Sequence, residues 1–146
     1  MSPKPGHFKT RKWSSKAQML TCLDVQLLVP YTRQVHVYNN LIENVVTQGI
    51  HTRSYGQVLA QANVFSNVTE PISTYGFVVP DDSPDNPTGD YEPDGYANES
   101  NNLYINSGKN NITRVGTFTS VPYAFPTDAP SSLKAIVDKY SGVGKI

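Results

Sequence analysis

Carboxylates in the middle of the chain come nearest to a chemical site by type and spacing. Asp90, Glu92 and Asp94 stand at alternate positions and are followed by Gly95. Oxygen ligands at positions 1, 3 and 5 and a glycine at position 6 open a calcium-binding loop. Position twelve would be Asn101 instead of the usual glutamate, and a proline interrupts the run. Calcium binding is therefore the alternative here, and a solvated or partner-facing acidic loop is the main interpretation.

The wider loop over 80–102 combines acidic groups with tyrosines. No Lys or Arg occurs from Ser54 to Gly108, whereas eight of the twelve acidic residues lie there. Tyrosine is enriched at interfaces because it buries a large ring and keeps its hydroxyl in water. We predict that this loop contacts a partner, or in the alternative a carbohydrate, whose faces would meet the rings. The predicted contacts are Asp81, Asp82, Asp85, Asp90, Tyr91, Glu92, Asp94 and Tyr96.

The other charged segment is a basic N-terminal arm. Five Lys or Arg and no acid occur in the first sixteen residues, with two aromatic side chains among them. Basic arms bind nucleic acid or acidic protein surfaces. We predict contact with a partner subunit, with the acidic loop of a second copy, or weakly with nucleic acid through phosphates. The predicted contacts are Lys4, Phe8, Lys9, Arg11, Lys12, Trp13 and Lys16.

Catalytic and metal-binding patterns are missing from the sequence. His7, His36 and His51 are dispersed and form no ligand pair at the spacing of a zinc site. Cys22 is the single cysteine and has no local cation to activate it. We therefore predict a protein that is not an enzyme and that uses no metal and no cofactor.

Apolar periodicity predicts the elements that hold these segments. Alternation indicates strands, and spacing of i, i+3, i+4 indicates helices. The predicted elements are strands over 23–29, 34–38 and 72–79, helices over 40–49 and 54–62, a hairpin of 103–106 with 112–121, and a helix from Asp128.

These elements predict one α+β domain over 19–146, preceded by the arm over 1–18. The domain would have a small, mostly antiparallel sheet of about five strands and about three short helices, with no internal repeat. A chain of 146 residues is an ordinary size for one domain.

Composition favours an assembly protein. Charged residues are only 16% of the chain and the formal net charge is zero. We predict a structural subunit that holds copies of itself or other subunits, as a small virion protein of a phage head, neck, tail or decoration does. A subunit of a cellular complex and a carbohydrate- or calcium-binding module are the alternatives. The expected location is a virion or the host cytoplasm, because the chain shows neither an apolar leader nor a run long enough to span a membrane.

Overall fold

Strands make up most of the secondary structure. The computed structural model describes residues 33–76 and 93–140 in full, and residues 18–20 and 23–25 as backbone. The strands and the helix are, in chain order, β1 Gln18–Leu20, β2 Leu23–Val25, β3 Gln34–Tyr38, β4 Asn40–Thr52, β5 Gln57–Gln61, β6 Val64–Ser73, β7 Tyr96–Ser100, β8 Leu103–Ile105 and α1 Pro130–Tyr140.

The strands form two sheets, and every ladder between them is parallel. One sheet has the order β3-β5-β7. In the other, β4 pairs with β1, β2 and β6, and β6 pairs with β8. Because β3 leads into β4, β5 into β6 and β7 into β8, each such pair is one coil of a solenoid. The described residues therefore build a parallel β-helix of three coils, with β1 and β2 lying against the first.

The coils stack in a fixed register. Gln34 of coil one pairs with Gln57 of coil two, which pairs with Tyr96 of coil three. Contacts between successive coils accordingly join residues 23 apart and then 39 apart. The second interval is longer because the connection from β6 to β7, residues 74–95, has more residues than the connection from β4 to β5; we call this longer connection the excursion. The prediction that the sequence has no internal repeat is wrong, and this excursion hides the repeat.

Each coil turns at two corners where the backbone is left-handed. The first corner is at Asn39, Ala62 and Asn101, with φ of 59°, 53° and 54°. The second is at Asn44, Asn67 and Asn106, with φ of 57°, 57° and 48°. Asparagine tolerates this conformation better than other residues that carry a Cβ. The corners divide the coil into a first face (34–38, 57–61, 96–100), a second face (40–43, 64–66, 103–105) and a third face (45–52, 68–73).

The inward side chains of the three faces stack into one apolar core. Ile42 of coil one lies over Phe65 of coil two, whose ring stacks on Tyr104 of coil three at 5.3 Å. Parallel packing of like positions buries each side chain against its neighbours above and below. The fully buried members are Ile42, Ile50, Val58, Ala60, Phe65, Val68, Ile72 and Ala97.

An asparagine ladder follows the first corner through the stack. The buried Asn63 side chain accepts from the backbone N and the Nδ2 of Asn40, both at 3.1 Å. It donates to the carbonyl oxygen of Val37 at 2.9 Å and to Oδ1 of Asn102 at 3.1 Å. Backbone amides inside a turn need partners, and here the side chain of the next coil supplies them.

The C-terminal part covers two faces of the coil from outside. Residues 112–128, the crossing segment, run over the first face from coil three to coil one. Asn98 Nδ2 donates to the carbonyls of Gly116 and Phe118 at 2.8 and 3.0 Å, and Gln57 Oε1 accepts from the backbone N of Phe118 at 2.9 Å. Helix α1 then packs on the outer side of the second face, with Leu133 and Val137 against Leu41 and Val64.

Two features of the predicted fold are confirmed, a third is confirmed over the residues described, since 23–25 of the strand predicted over 23–29 are β2, and most are wrong. The strand over 34–38 is β3, and the predicted C-terminal helix is α1. The fold class is wrong, because the described residues hold one helix and parallel sheets where we predicted an α+β domain with an antiparallel sheet. The predicted helices are strands, since 40–49 lies in β4 and most of 54–62 is β5.

The remaining predicted elements differ in part. The hairpin is wrong: Leu103–Ile105 pairs with β6 in parallel, and 112–121 lies in the crossing segment. Only residues 72 and 73 of the strand predicted over 72–79 are in β6, and 77–79 lie outside the described residues. Residue 18, predicted as the end of the arm, is the first residue of β1, and 1–17 lie outside the description.

Candidate functional site

A polar network lies on the third face where the coils approach the excursion. His51 Nε2 bonds the carbonyl oxygen of Tyr75 at 2.8 Å, and the two rings are 4.9 Å apart. Gln48 Nε2 donates to the Tyr75 hydroxyl. Burial raises the pKa of Tyr75, and the negative charge of Glu70 raises it further. Tyr75 therefore stays a neutral hydroxyl, able both to donate and to accept a hydrogen bond.

Asp94 anchors the return of the chain from the excursion. Its Oδ1 accepts from the backbone N of Gly76 at 3.0 Å, and its Oδ2 accepts from the Thr113 hydroxyl at 2.7 Å. Arg114 Nε lies 3.8 Å from the same Oδ2. One carboxylate thus ties together the start of the excursion, its end and the segment that follows β8.

The turn over 53–56, from the third face of coil one to the first face of coil two, lies against Asp94. Arg53 pairs with Asp94 in an antiparallel bridge, and its side chain is buried. Ser54 N donates to the carbonyl of Pro93 at 2.6 Å, and Tyr55 N donates to that of Asp94 at 3.3 Å. Together with residues 74–76, 94–96 and 113–117, this turn forms what we call the polar corner. It gathers two arginines, a carboxylate and three tyrosines (Tyr55, Tyr75, Tyr96) from distant parts of the chain.

A shallow depression opens on the first-face side of the polar corner. Its volume is about 310 Å³. Five side chains line it: Tyr55, Gln57, Tyr96, Val115 and Thr117. The guanidinium carbon of Arg114 lies 5.8 Å from the centre of the Tyr96 ring, within the range of a cation–π interaction. Aromatic rings beside a fixed cation suit a ligand that has flat apolar faces and an anionic group.

His36 lies on the same face at coil one, where it holds the crossing segment. Its Nδ1 bonds the Tyr123 hydroxyl and its Nε2 bonds Oε1 of Gln61, each at 3.0 Å. The ring stacks on Tyr38 at 4.7 Å and meets Phe125 edge-on at 4.4 Å. Burial lowers the pKa of His36, so the ring is neutral at neutral pH. Both ring nitrogens are hydrogen-bonded inside the protein, and through them His36 holds the crossing segment against the first face.

A third cluster closes the end of coil three. Tyr104 donates to Oε2 of Glu99, and Asn110 Nδ2 donates to Glu99 Oε1 at 2.9 Å. Burial raises the pKa of Tyr104, with the Glu99 hydrogen bond as the next cause. Tyr104 stacks on Phe65, so this cluster covers the core with polar groups at the last coil.

Among the described residues, no three His, Cys, Asp or Glu side chains converge, so these residues offer no donor set for a metal ion. The calcium alternative rested on Asp90, Glu92 and Asp94. The first two lie outside the described residues, and both oxygens of Asp94 are bonded to the protein itself.

Only two predicted contact residues fall within the described ranges. Asp94 and Tyr96 do come together, in the polar corner. The other acidic-loop residues, Asp81, Asp82, Asp85, Asp90, Tyr91 and Glu92, lie outside the description, as do the arm residues Lys4, Phe8, Lys9, Arg11, Lys12, Trp13 and Lys16. Their contacts therefore stay predictions.

The sequence reasoning missed Arg53, Tyr55 and Arg114. One signal for this region was present, since residues 53–56 follow an apolar stretch and end in a glycine, as a turn does. Their grouping with Asp94 depends on coil stacking and was not visible in local patterns.

The chain is similar to bacterial and fungal pectate lyases. It is 30% identical to a pectate trisaccharide-lyase of Bacillus licheniformis over 111 residues, which are 76% of this chain and 28% of that protein. It is 29% identical to pectate lyase 3 of Pectobacterium atrosepticum over 131 residues, 84% of this chain and 34% of the other. A probable pectate lyase A of Aspergillus fumigatus is 31% identical over 107 residues, with 73% and 27% covered. No protein-family model matches.

These relatives overturn three predictions. A structural virion subunit, a non-enzyme, and an association with capsid or tail are all wrong, because the similar proteins are carbohydrate-degrading enzymes. The chain spans about a third or less of the length of these relatives. Of the expected location, one part is tested: the described part of the chain holds no helix that is both long and apolar enough to cross a membrane.

Proposed function

We propose that this chain acts on pectate as a β-helical lyase or as part of one. The observation that carries the proposal is the similarity to pectate lyases over 73–84% of the chain. Pectate is a chain of galacturonate residues, each with a carboxylate. A protein acting on it must hold several regularly spaced anionic sugars at once.

The described fold supports this proposal in two ways. Stacked parallel coils present like positions at regular intervals, which suits a repeating polymer. The polar corner adds Arg114, whose side chain is 46% exposed, and arginine matches carboxylates through paired hydrogen bonds. Arg114 follows β8 in the chain and lies beside Asp94, so it presents its charge next to the third face.

The reaction of a lyase sets requirements on the site. A base removes the proton next to the sugar carboxylate, a double bond forms, and the glycosidic oxygen leaves with a proton. Cations near the carboxylate stabilise the negative charge that develops on it. The third-face network offers groups for proton movement in Glu70, His51 and the Tyr75 hydroxyl. We propose the outer side of the third face next to the polar corner as the place of reaction.

Location follows from the substrate. Pectate belongs to the walls that surround plant cells, so we propose that the protein acts outside the cell that makes it. The earlier placement in a virion or the host cytoplasm went together with the assembly function and is replaced by this one.

The test is to incubate the purified chain with polygalacturonate and to follow two products. Unsaturated uronate ends absorb ultraviolet light, and new reducing ends are counted chemically. We expect both to rise together, because each elimination makes one of each. Reducing ends without unsaturated ends would indicate hydrolysis and would contradict a lyase, and the absence of both cleavage and binding would contradict action on pectate. A neutral galactan is the matched substrate control, and we expect it to stay intact.

A further inference from the structure

The depression at the polar corner is separate from the third face and has features of its own. Tyr55 and Gln57 are two residues apart, and Gln57 pairs with Tyr96 on the next coil. The two tyrosine rings therefore flank one position on adjacent coils, whose backbones lie about 4.8 Å apart. The volume of about 310 Å³ is at the lower end of the range for ligand sites. It is large enough for one sugar residue.

Tyr55 is held outward by a strained turn. Its φ is 61° and that of Ser54 is 52°, a conformation that is uncommon for bulky residues. Hydrogen bonds of Ser54 and Tyr55 to the returning chain, and of Gly56 N to the Arg53 carbonyl at 3.0 Å, fix the turn. As a result half of Tyr55 is exposed. Strain that is maintained by surrounding contacts is found preferentially at binding and active sites.

Arg114 supplies an oriented cation at the edge of the depression. Its Nε faces Asp94, whose position is fixed by Gly76 and Thr113, and its fork lies over the Tyr96 ring. The side chain is 46% exposed. A guanidinium keeps its charge throughout the accessible pH range and has five N–H donors. It is thus both held in place and open to an anion from solvent.

We propose that this depression is a binding subsite for one uronate residue of a polysaccharide. Arg114 pairs with the sugar carboxylate, and the rings of Tyr55 and Tyr96 lie against the sugar. This inference rests on the proposed function and extends it, because it places a second contact around the corner from the third face. A polysaccharide chain that leaves the third face at Arg53 reaches Tyr55 two residues further along the turn.

The test is calorimetric titration of the full chain with trigalacturonate, with galactotriose as the neutral probe and trimannuronate as a different uronate. Arg114→Gln removes one charge-assisted pair, so we expect trigalacturonate to bind about tenfold to a hundredfold more weakly. Tyr55→Ala removes one ring contact, with an expected loss of about threefold to tenfold.

A second cation over a tyrosine provides the control. Lys139 Nζ lies 4.9 Å from the centre of the Tyr140 ring on α1, outside the depression. Lys139→Gln therefore removes the same kind of pair and the same charge, and we expect no change in affinity. Circular dichroism spectra of all three variants establish that the coils are intact.

The outcomes separate the two proposals. Tight trigalacturonate binding that Arg114→Gln leaves unchanged would overturn the subsite and keep the proposed function. Binding of trimannuronate that is sensitive to Arg114, without binding of trigalacturonate, would keep the uronate subsite and overturn pectate as the substrate. If neither uronate binds, or galactotriose binds equally well, the subsite is wrong.

Discussion

Replacing Asn63 with alanine is the perturbation that examines the coil stack most sharply. The Asn63 side chain is fully buried and links all three coils through four hydrogen bonds. In Asn63→Ala the backbone N–H of Asn40 loses its acceptor in a buried place, at a cost of about 1–3 kcal/mol. The bonds to the Val37 carbonyl and the Asn102 amide are lost as well, at about 0.5–1.5 kcal/mol each.

Together these losses predict a free energy of unfolding lower by about 3 kcal/mol. For a chain of this length, one kcal/mol corresponds to about 3–4 °C in Tm, so we expect Tm to fall by about 10 °C. Urea unfolding followed by circular dichroism measures the free energy, and calorimetry measures Tm.

The control lies at the same corner of the next coil. Asn101 has a φ of 54° and is exposed, and glycine adopts this conformation freely. Asn101→Gly is therefore expected to change stability by less than about 0.5 kcal/mol. If Asn63→Ala unfolds with the same midpoint as the wild type, the ladder does not hold the coils in register and the stacking described above is wrong.

Three further changes test other parts of the structure. A Cβ on Gly95 would lie 2.5 Å from the backbone carbonyl of Thr52, so Gly95→Ala should lower the urea midpoint by an amount equivalent to about 1–3 kcal/mol, and an unchanged midpoint would refute this close approach. Ala62 has a φ of 53°, so Ala62→Gly should raise stability by about 0.5–1 kcal/mol in the same assay, and a loss would contradict the left-handed corner. Burial lowers the pKa of His36, so the unfolded chain binds the proton more readily and stability should fall as pH drops below the ordinary histidine value of about 6.5. His36→Gln should show a flatter pH dependence of unfolding, and identical slopes would refute the burial of His36 under the crossing segment.

The two wrong helices show what the sequence pattern left ambiguous. Leu41, Ile42, Val45 and Val46 have helical spacing, yet they lie on a strand that turns a corner at Asn44. Leu41 faces α1 and Ile42 and Val45 face the core, whereas Val46 is 85% exposed beyond the corner. A left-handed residue inserted into a strand shifts which of the following side chains point inward. The alternation of apolar residues is then interrupted, and the apolar spacing resembles that of a helix.

The spacing of the asparagines could have distinguished a helix from the strands of stacked coils. An asparagine before an apolar run, such as Asn40, is typical of a helix N-cap and so favours the helix predicted over 40–49. The same residue recurs 23 positions later as Asn63, and this spacing is typical of stacked coils. The 39-residue interval to Asn102 conceals the third member, because the excursion lengthens that coil.

The candidate site was predictable only in fragments. Asp94 and Tyr96 were named because acidic and aromatic residues cluster near them. Their neighbours in space include Arg53 and Arg114. In the chain, Arg53 lies 41 residues before Asp94 and Arg114 lies 20 residues after it, and coil stacking brings them together. Long-range parallel pairing determines such groupings, and local periodicity contains no record of it.

Recognition of the charged polymer is the most direct measure of the proposed function. Electrophoresis of the native chain through two gels, one containing polygalacturonate and one its methyl ester, compares the mobility of the same protein in the two polymers. Run at alkaline pH, above the sequence pI of about 6.8, the chain has a net negative charge, so it migrates without bulk attraction to a polyanion and its retention reports a specific surface. We predict that polygalacturonate slows the chain, that salt reduces the effect, and that the methyl ester has little effect. Equal mobility in both gels would contradict action on pectate.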